Sequence, residues 1–96
     1  MKVLFSKKAV NGLEKIFSYV VKNFSHNKAQ IVRNKIVTSI LKLGKFPDAG
    51  LKIAGAADKR VLVVAGNLII YEIILRAEPI IVIRNIRPSH MDSNKK

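Results

Sequence analysis

The apolar residues of this chain change their period once, between Gly44 and Gly50, and that change constrains the fold more than any other feature. Before it, they recur every three or four positions. Val10, Leu13, Phe17, Val20 and Phe24 form one such stripe, and Ala29, Val32, Ile36, Ile40 and Leu43 form a second. Each is the buried stripe of an amphipathic helix. Ser6 is a good N-cap for the first helix, and Ser25 or Asn27 for the second. Asn23 to Asn27 reads as the break between them. Gly44 suits a C′ position, and Pro47 prevents continuation. Two helices joined by so short a turn form an antiparallel hairpin.

After Pro47 the pattern becomes β-branched and nearly continuous. Phe46-Pro47-Asp48-Ala49-Gly50 is turn chemistry, and Leu51 to Lys59 reads as a loop with room for a short strand. Arg60 to Ala65 is a valine-rich strand. Gly66-Asn67 is a hairpin signal, and Leu68 to Leu75 is a second strand whose near-continuous apolar run predicts cover on both faces. Arg76 to Pro79 is the next turn, and Ile80 to Ile86 a third strand. Val3-Leu4-Phe5 adds a short strand at the start. The expected architecture is therefore α+β in two layers, with a helix hairpin packed on a three- to four-stranded, mainly antiparallel sheet. At 96 residues the chain reads as one domain, residues 1–96, with a flexible tail from Pro88.

Charge bounds the partners. Eighteen Lys and Arg against six Asp and Glu give a net charge of +12. A compact domain so charged repels itself and calls for an anionic partner: nucleic acid, an acidic protein segment or an anionic membrane surface. Lys8, Lys15 and Lys22 stand seven apart on a face away from the apolar stripe, and Lys28, Lys35 and Lys42 repeat the spacing in the second helix. Glu14 is the one acid of the first helix, and the second has none. The chain has no cysteine, which excludes disulfides and thiolate metal sites and fits a reducing cytoplasm. The longest apolar stretch, Val61 to Leu75, is interrupted by Gly66-Asn67 and Glu72 and is too short to span a membrane. No phosphate loop, metal-ligand cluster or paired carboxylates appear, so neither a metal nor a cofactor is expected.

Several of these residues also fall in an order that resembles the ParE/RelE toxin superfamily, with its closest likeness to the ParE branch. Ala9, Leu13, Ile16 and Tyr19 are similar to the first-helix pattern, with Gly12 where the family usually has Asp. Leu43, Phe46, Pro47 and Gly50 resemble the hairpin exit. Arg60-Val61-Leu62-Val63-Val64 and Leu68-Ile69-Ile70-Tyr71 resemble the paired strands. Ile81 to Ile86 resembles the closing strand, with Arg84 one place early. The resemblance implies the toxin component of a type II toxin–antitoxin system, neutralised by an antitoxin with an acidic, initially disordered tail.

Two activities occur in that superfamily. ParE-like members bind DNA gyrase and are not hydrolases; RelE-like members cut messenger RNA on the ribosome. Cleavage through a 2′-hydroxyl needs a base, an acid and cations for the developing charge. The ribonuclease branch carries an arginine in its central strand, at the position of Leu68 here, and a tail tyrosine, but no Tyr follows Tyr71. The expected function is therefore gyrase inhibition by binding, with Lys15, Lys22, Arg33, Arg60, Arg84 and Arg87 contacting target or antitoxin. The alternatives are a ribosome-dependent ribonuclease using Arg60, Arg87 and His90, an inactive relative, and a nucleic-acid-binding protein with no toxicity. A homodimer and a hetero-oligomer with antitoxin both fit the sequence.

Overall fold

The computed structural model describes residues 1–56 and 58–89. Its elements are β1 (Lys2–Phe5), α1 (Lys7–Asn23), α2 (His26–Lys42), a 3-10 turn (Pro47–Ala49), β2 (Leu51–Lys52), β3 (Lys59–Val64), β4 (Asn67–Ile74) and β5 (Ile80–Pro88). Both helices start at serine caps. Ser6 Oγ accepts from the Ala9 amide at 3.1 Å, and Ser25 Oγ from the Lys28 amide at 3.0 Å. Ser25, not Asn27, therefore caps α2. The break needs only Phe24 and Ser25, whose amides both bond the Val20 carbonyl, at 2.8 and 3.1 Å. Reversal in two residues sets the helices side by side.

The strands form one sheet in the order β1-β5-β4-β3-β2. β1 lies parallel to β5 and the remaining pairs are antiparallel. The sheet thus has five strands rather than three or four. β1 closes one edge, and Leu51–Lys52 pairs with Val61 and Arg60 at the other. The turn between β3 and β4 is Ala65-Gly66, one residue earlier than the sequence signal. Both residues have positive φ, 51° and 76°, as a type I′ hairpin requires. Asn67 becomes the first residue of β4, and its side chain bonds the Ala65 carbonyl at 3.0 Å.

Between α hairpin and sheet lies the core. Ala9, Ile16 and Val20 of α1 and Ala29, Ile36 and Ile40 of α2, with Leu43 beyond it, meet Ile69, Tyr71, Ile81, Ile83 and Ile86. The α1 stripe is rotated from the expected one: Val10 and Phe24 are exposed, while Ala9 takes the deepest position. Gly12 is the reason. A Cβ there would run into the Ile86 carbonyl, so α1 comes down on β5 along its Ala9–Gly12–Ile16 side. A bulge in β5 answers from the sheet. Tyr71 faces Ile83 and Ile70 faces Asn85, which leaves Arg84 as the extra residue. Without that insertion Ile86 would point to the other face; with it, Ile81, Ile83 and Ile86 all reach the core.

Three further expectations change. Gly44 does not adopt a left-handed C′ conformation; it is small because the chain start lies on it, with the Met1 ammonium donating to its carbonyl at 2.9 Å. Of the tail expected over 88–96, Pro88 pairs with Asn67 and Ser89 follows with its amide and hydroxyl both on the Gly66 carbonyl, while residues 90–96 lie outside the described residues. Finally, the helices cover only one face of β4. Its apolar run has a buried side and, as described below, a bare one.

Candidate partner-binding groove and the bare sheet face

β1 accompanies β5 only from Ile80 to Ile83, and the Ser6 amide and hydroxyl then bond the Ile83 and Arg84 carbonyls at 3.0 Å each. Beyond that point one side of β5 has no neighbouring strand. α1 leans over this free edge at Gly12, and an open groove of about 870 Å³ remains between the helices and the end of β5. Its apolar surface comes from Ile16, Val20, Phe24, Val32 and Pro88. Lys8, Lys15, Lys28 and Arg87 stand around it, and among the described residues no acid lines it. Tyr19 of α1 and Phe24 of the break contribute to its wall although they are 62% and 69% exposed, unusual for aromatic rings beside a core. Such a site matches an amphipathic anionic segment: apolar side chains along the floor and carboxylates against the rim.

The expected site residues do not gather in one place. Lys15 and Arg87 meet in this groove. Lys22 lies in the last turn of α1, outside it. Arg33 lines a shallower depression with Val10, Leu13 and Phe17. Arg84, on the bulge, holds Glu72 at 2.8 Å. His90 lies outside the described residues. Lys8, Lys28, Tyr19 and Phe24 belong to the groove but were not singled out for it. The sevenfold lysine spacing contained the signal for Lys8 and Lys15, but only the hairpin crossing brings Lys28 of α2 beside them.

Arg60 serves a separate arrangement. Its guanidinium donates to the Gly50 carbonyl at 2.8 Å and lies 3.5 Å from the Asp48 carboxylate. The fully buried Tyr71 completes the bracket: its hydroxyl donates to the Pro47 carbonyl at 2.7 Å and accepts from the Gly50 amide at 2.9 Å. Burial raises the Tyr71 pKa above the ordinary value, against the smaller opposing effects of the Gly50 amide and Arg60. Pro47, Gly50, Arg60 and Tyr71, which entered as separate pieces of sequence pattern, are therefore one device that fastens the turn after α2 to the sheet. Gly50 must be glycine here, since a Cβ would stand 2.7 Å from the Tyr71 oxygen.

The sheet face opposite the helices carries Val61, Val63, Leu68, Ile70, Ile74 and Val82. The register pairs them as Val61 with Ile70 and Val63 with Leu68. No described helix lies over them. Leu68, at the position of the ribonuclease branch's arginine, lies on this face between Val63 of β3 and Arg87 of β5.

Among the described residues, no three His, Cys, Asp or Glu approach closely enough to hold a metal, and no helix is long and apolar enough to cross a membrane. Fold and groove together define a small, basic two-layer α+β domain with an open apolar groove rimmed by cations. The sequence matches the family model described as "ParE toxin of type II toxin-antitoxin system, parDE" over residues 3–93, and the chain belongs to that family. A solved structure of the chromosomal ParDE TA system from P. aeruginosa is similar, with a TM-score of 0.75 at 19% identity over 92% of this chain and 95% of that chain. At that identity the likeness speaks for the fold. Among curated proteins no match is found. Membership in a toxin–antitoxin family implies an antitoxin as partner.

Proposed function

We propose that this ParE-family toxin acts by binding DNA gyrase and that an acidic amphipathic segment of its antitoxin neutralises it by lying in the groove between α1, α2 and β5. The observation that carries the reading is the make-up of that groove. An apolar floor is bordered by Lys8, Lys15, Lys28 and Arg87, with no acid among the described residues that line it. An antitoxin tail that is disordered when free would gain both apolar burial and neutralised charge on entering it.

Inhibition by binding, rather than RNA cleavage, is supported by residue chemistry. Leu68 cannot supply the cation that a cleaved phosphate needs, and the Arg60 guanidinium is already engaged by Gly50 and Asp48. Pulse labelling after induction in bacteria tests the reading. Thymidine incorporation is expected to fall before methionine incorporation, and purified gyrase is expected to lose supercoiling activity with the toxin. An earlier fall in methionine incorporation, with cleaved message, would establish the ribonuclease alternative.

A further inference from the structure

We infer that the bare face of the sheet, centred on Val63, Leu68 and Ile70, is the surface that docks on the target, separate from the groove that receives the antitoxin. The inference rests on the gyrase-binding reading and assigns its contact surface.

The geometry comes from the strand register. In β4, Ile69, Tyr71 and Ile73 pack toward the helices, so Leu68, Ile70 and Ile74 face the other way. In β3, Leu62 and Val64 pack inward and Val61 and Val63 outward. Val63 is 62% exposed although it is an aliphatic residue in a strand beside the central one. Val61, Val63, Leu68 and Ile70 thus adjoin across β3 and β4 with no described helix over them, while Glu72 lies between this group and Ile74 and Val82. A contiguous apolar patch of this kind on a small domain marks an interaction site.

Charge selects the occupant. Glu72, the one acid that the register sets on this face, is held by Arg84 at 2.8 Å. Lys59, opposite Glu72, and Arg87, opposite Leu68, leave the border positive. A second copy would bring another +12 against this border and is disfavoured. A nucleic acid would need stacking partners. None lies here: Tyr71 and Phe17 pack at the core, Phe5 pairs with core-facing Ile83, Tyr19 and Phe24 belong to the groove, and Phe46 lies in the turn. The fitting occupant is a protein surface with an apolar centre and acidic surroundings.

The test compares wild type, Val63→Glu, Ile70→Thr and, as a control on the outer side of α2, Leu41→Glu in supercoiling assays with purified gyrase, with thermal unfolding measured for each. Val63→Glu should raise the half-inhibitory concentration at least about tenfold, as loss of a central apolar anchor does. Ile70→Thr, which keeps a β-branched side chain, should shift it in the same direction, and Leu41→Glu should leave it unchanged. Full inhibition by both folded sheet-face variants overturns the assignment, as does equal loss in Leu41→Glu. If wild type itself leaves gyrase untouched, the gyrase reading fails and the docking surface falls with it; that lane alone separates the two failures.

Discussion

At the scale of single residues, three positions carry constraints that a substitution exposes. Gly12 sits in mid-helix, where alanine would ordinarily gain about 1 kcal/mol of helix propensity. Here the added Cβ meets the backbone carbonyl of Ile86, which cannot rotate away. Gly12→Ala should therefore destabilise by roughly 1–3 kcal/mol net, the usual cost of overpacking, measured by urea denaturation. Ala65 has the opposite character. Its φ of 51° places a non-glycine residue in the left-handed region. Ala65→Asn, the residue a type I′ turn prefers, should stabilise by roughly 0.5–1 kcal/mol and raise the unfolding midpoint. Tyr71→Phe removes the hydroxyl that serves both Pro47 and Gly50 and should cost about 1–3 kcal/mol, because two buried backbone groups lose their partner. It should also change the alkaline limb of stability. Burial raises the Tyr71 pKa in the folded state. The stabilisation is complete below the unfolded value near 10 and is lost as pH climbs toward the folded one, since the unfolded chain releases its proton first. Unfolding midpoints followed above pH 10 should fall less steeply in Tyr71→Phe than in wild type.

At the scale of elements, the α hairpin does two things through different faces. Ala9, Ile16, Ile36 and Ile40 bind it to the sheet, while Lys15 and Lys28 face the groove from its two helices. Reversing both charges, Lys15→Glu with Lys28→Glu, should leave the unfolding midpoint nearly unchanged. It should weaken antitoxin binding at least about tenfold, since rim charges repel an acidic segment once inverted. Calorimetry with the antitoxin's isolated acidic segment measures this, and co-expression growth reports the escape from neutralisation. Much of the element layout was legible in advance. Helix stripes, serine caps and the β-branched runs belong to local chemistry, and each appears close to where the pattern puts it. The pattern did not reveal the rotation of α1, because that depends on Gly12 meeting a strand 74 residues away. Nor did it reveal β2, whose two residues carry no period of their own, or the bulge at Arg84, which is visible only against its partner strand.

For the molecule as a whole, a charge of +12 acts over distances comparable to the domain itself. It should speed association with an acidic antitoxin and make it salt-sensitive. Raising sodium chloride from about 0.05 to 0.5 M, which shortens the screening length from above 10 Å to below 5 Å, should slow the association rate at least about tenfold while changing dissociation little. Stopped-flow measurements check this.

The residues nominated for function show where reading a sequence stops. Charge and the lack of cysteine are properties of composition, and the missing strand arginine and tail tyrosine are departures from a family pattern; they lead to the expectation of an acidic partner and of binding rather than cleavage. Assigning each arginine was a different problem. Arg60, Arg84 and Arg87 look alike along the chain, yet one fastens the Pro47 turn, one neutralises Glu72 and one borders the groove. A guanidinium's role is set by what lies within about 3 Å of it, and those neighbours come from other strands and from β-register. By itself the sequence determined the layer architecture, the helix hairpin and the sign of the chain's own charge, because periodicity and composition are local and additive. Only the tertiary structure decided the groove, the bare sheet face and the division of labour among the cations. Each of these depends on which distant segments come into contact.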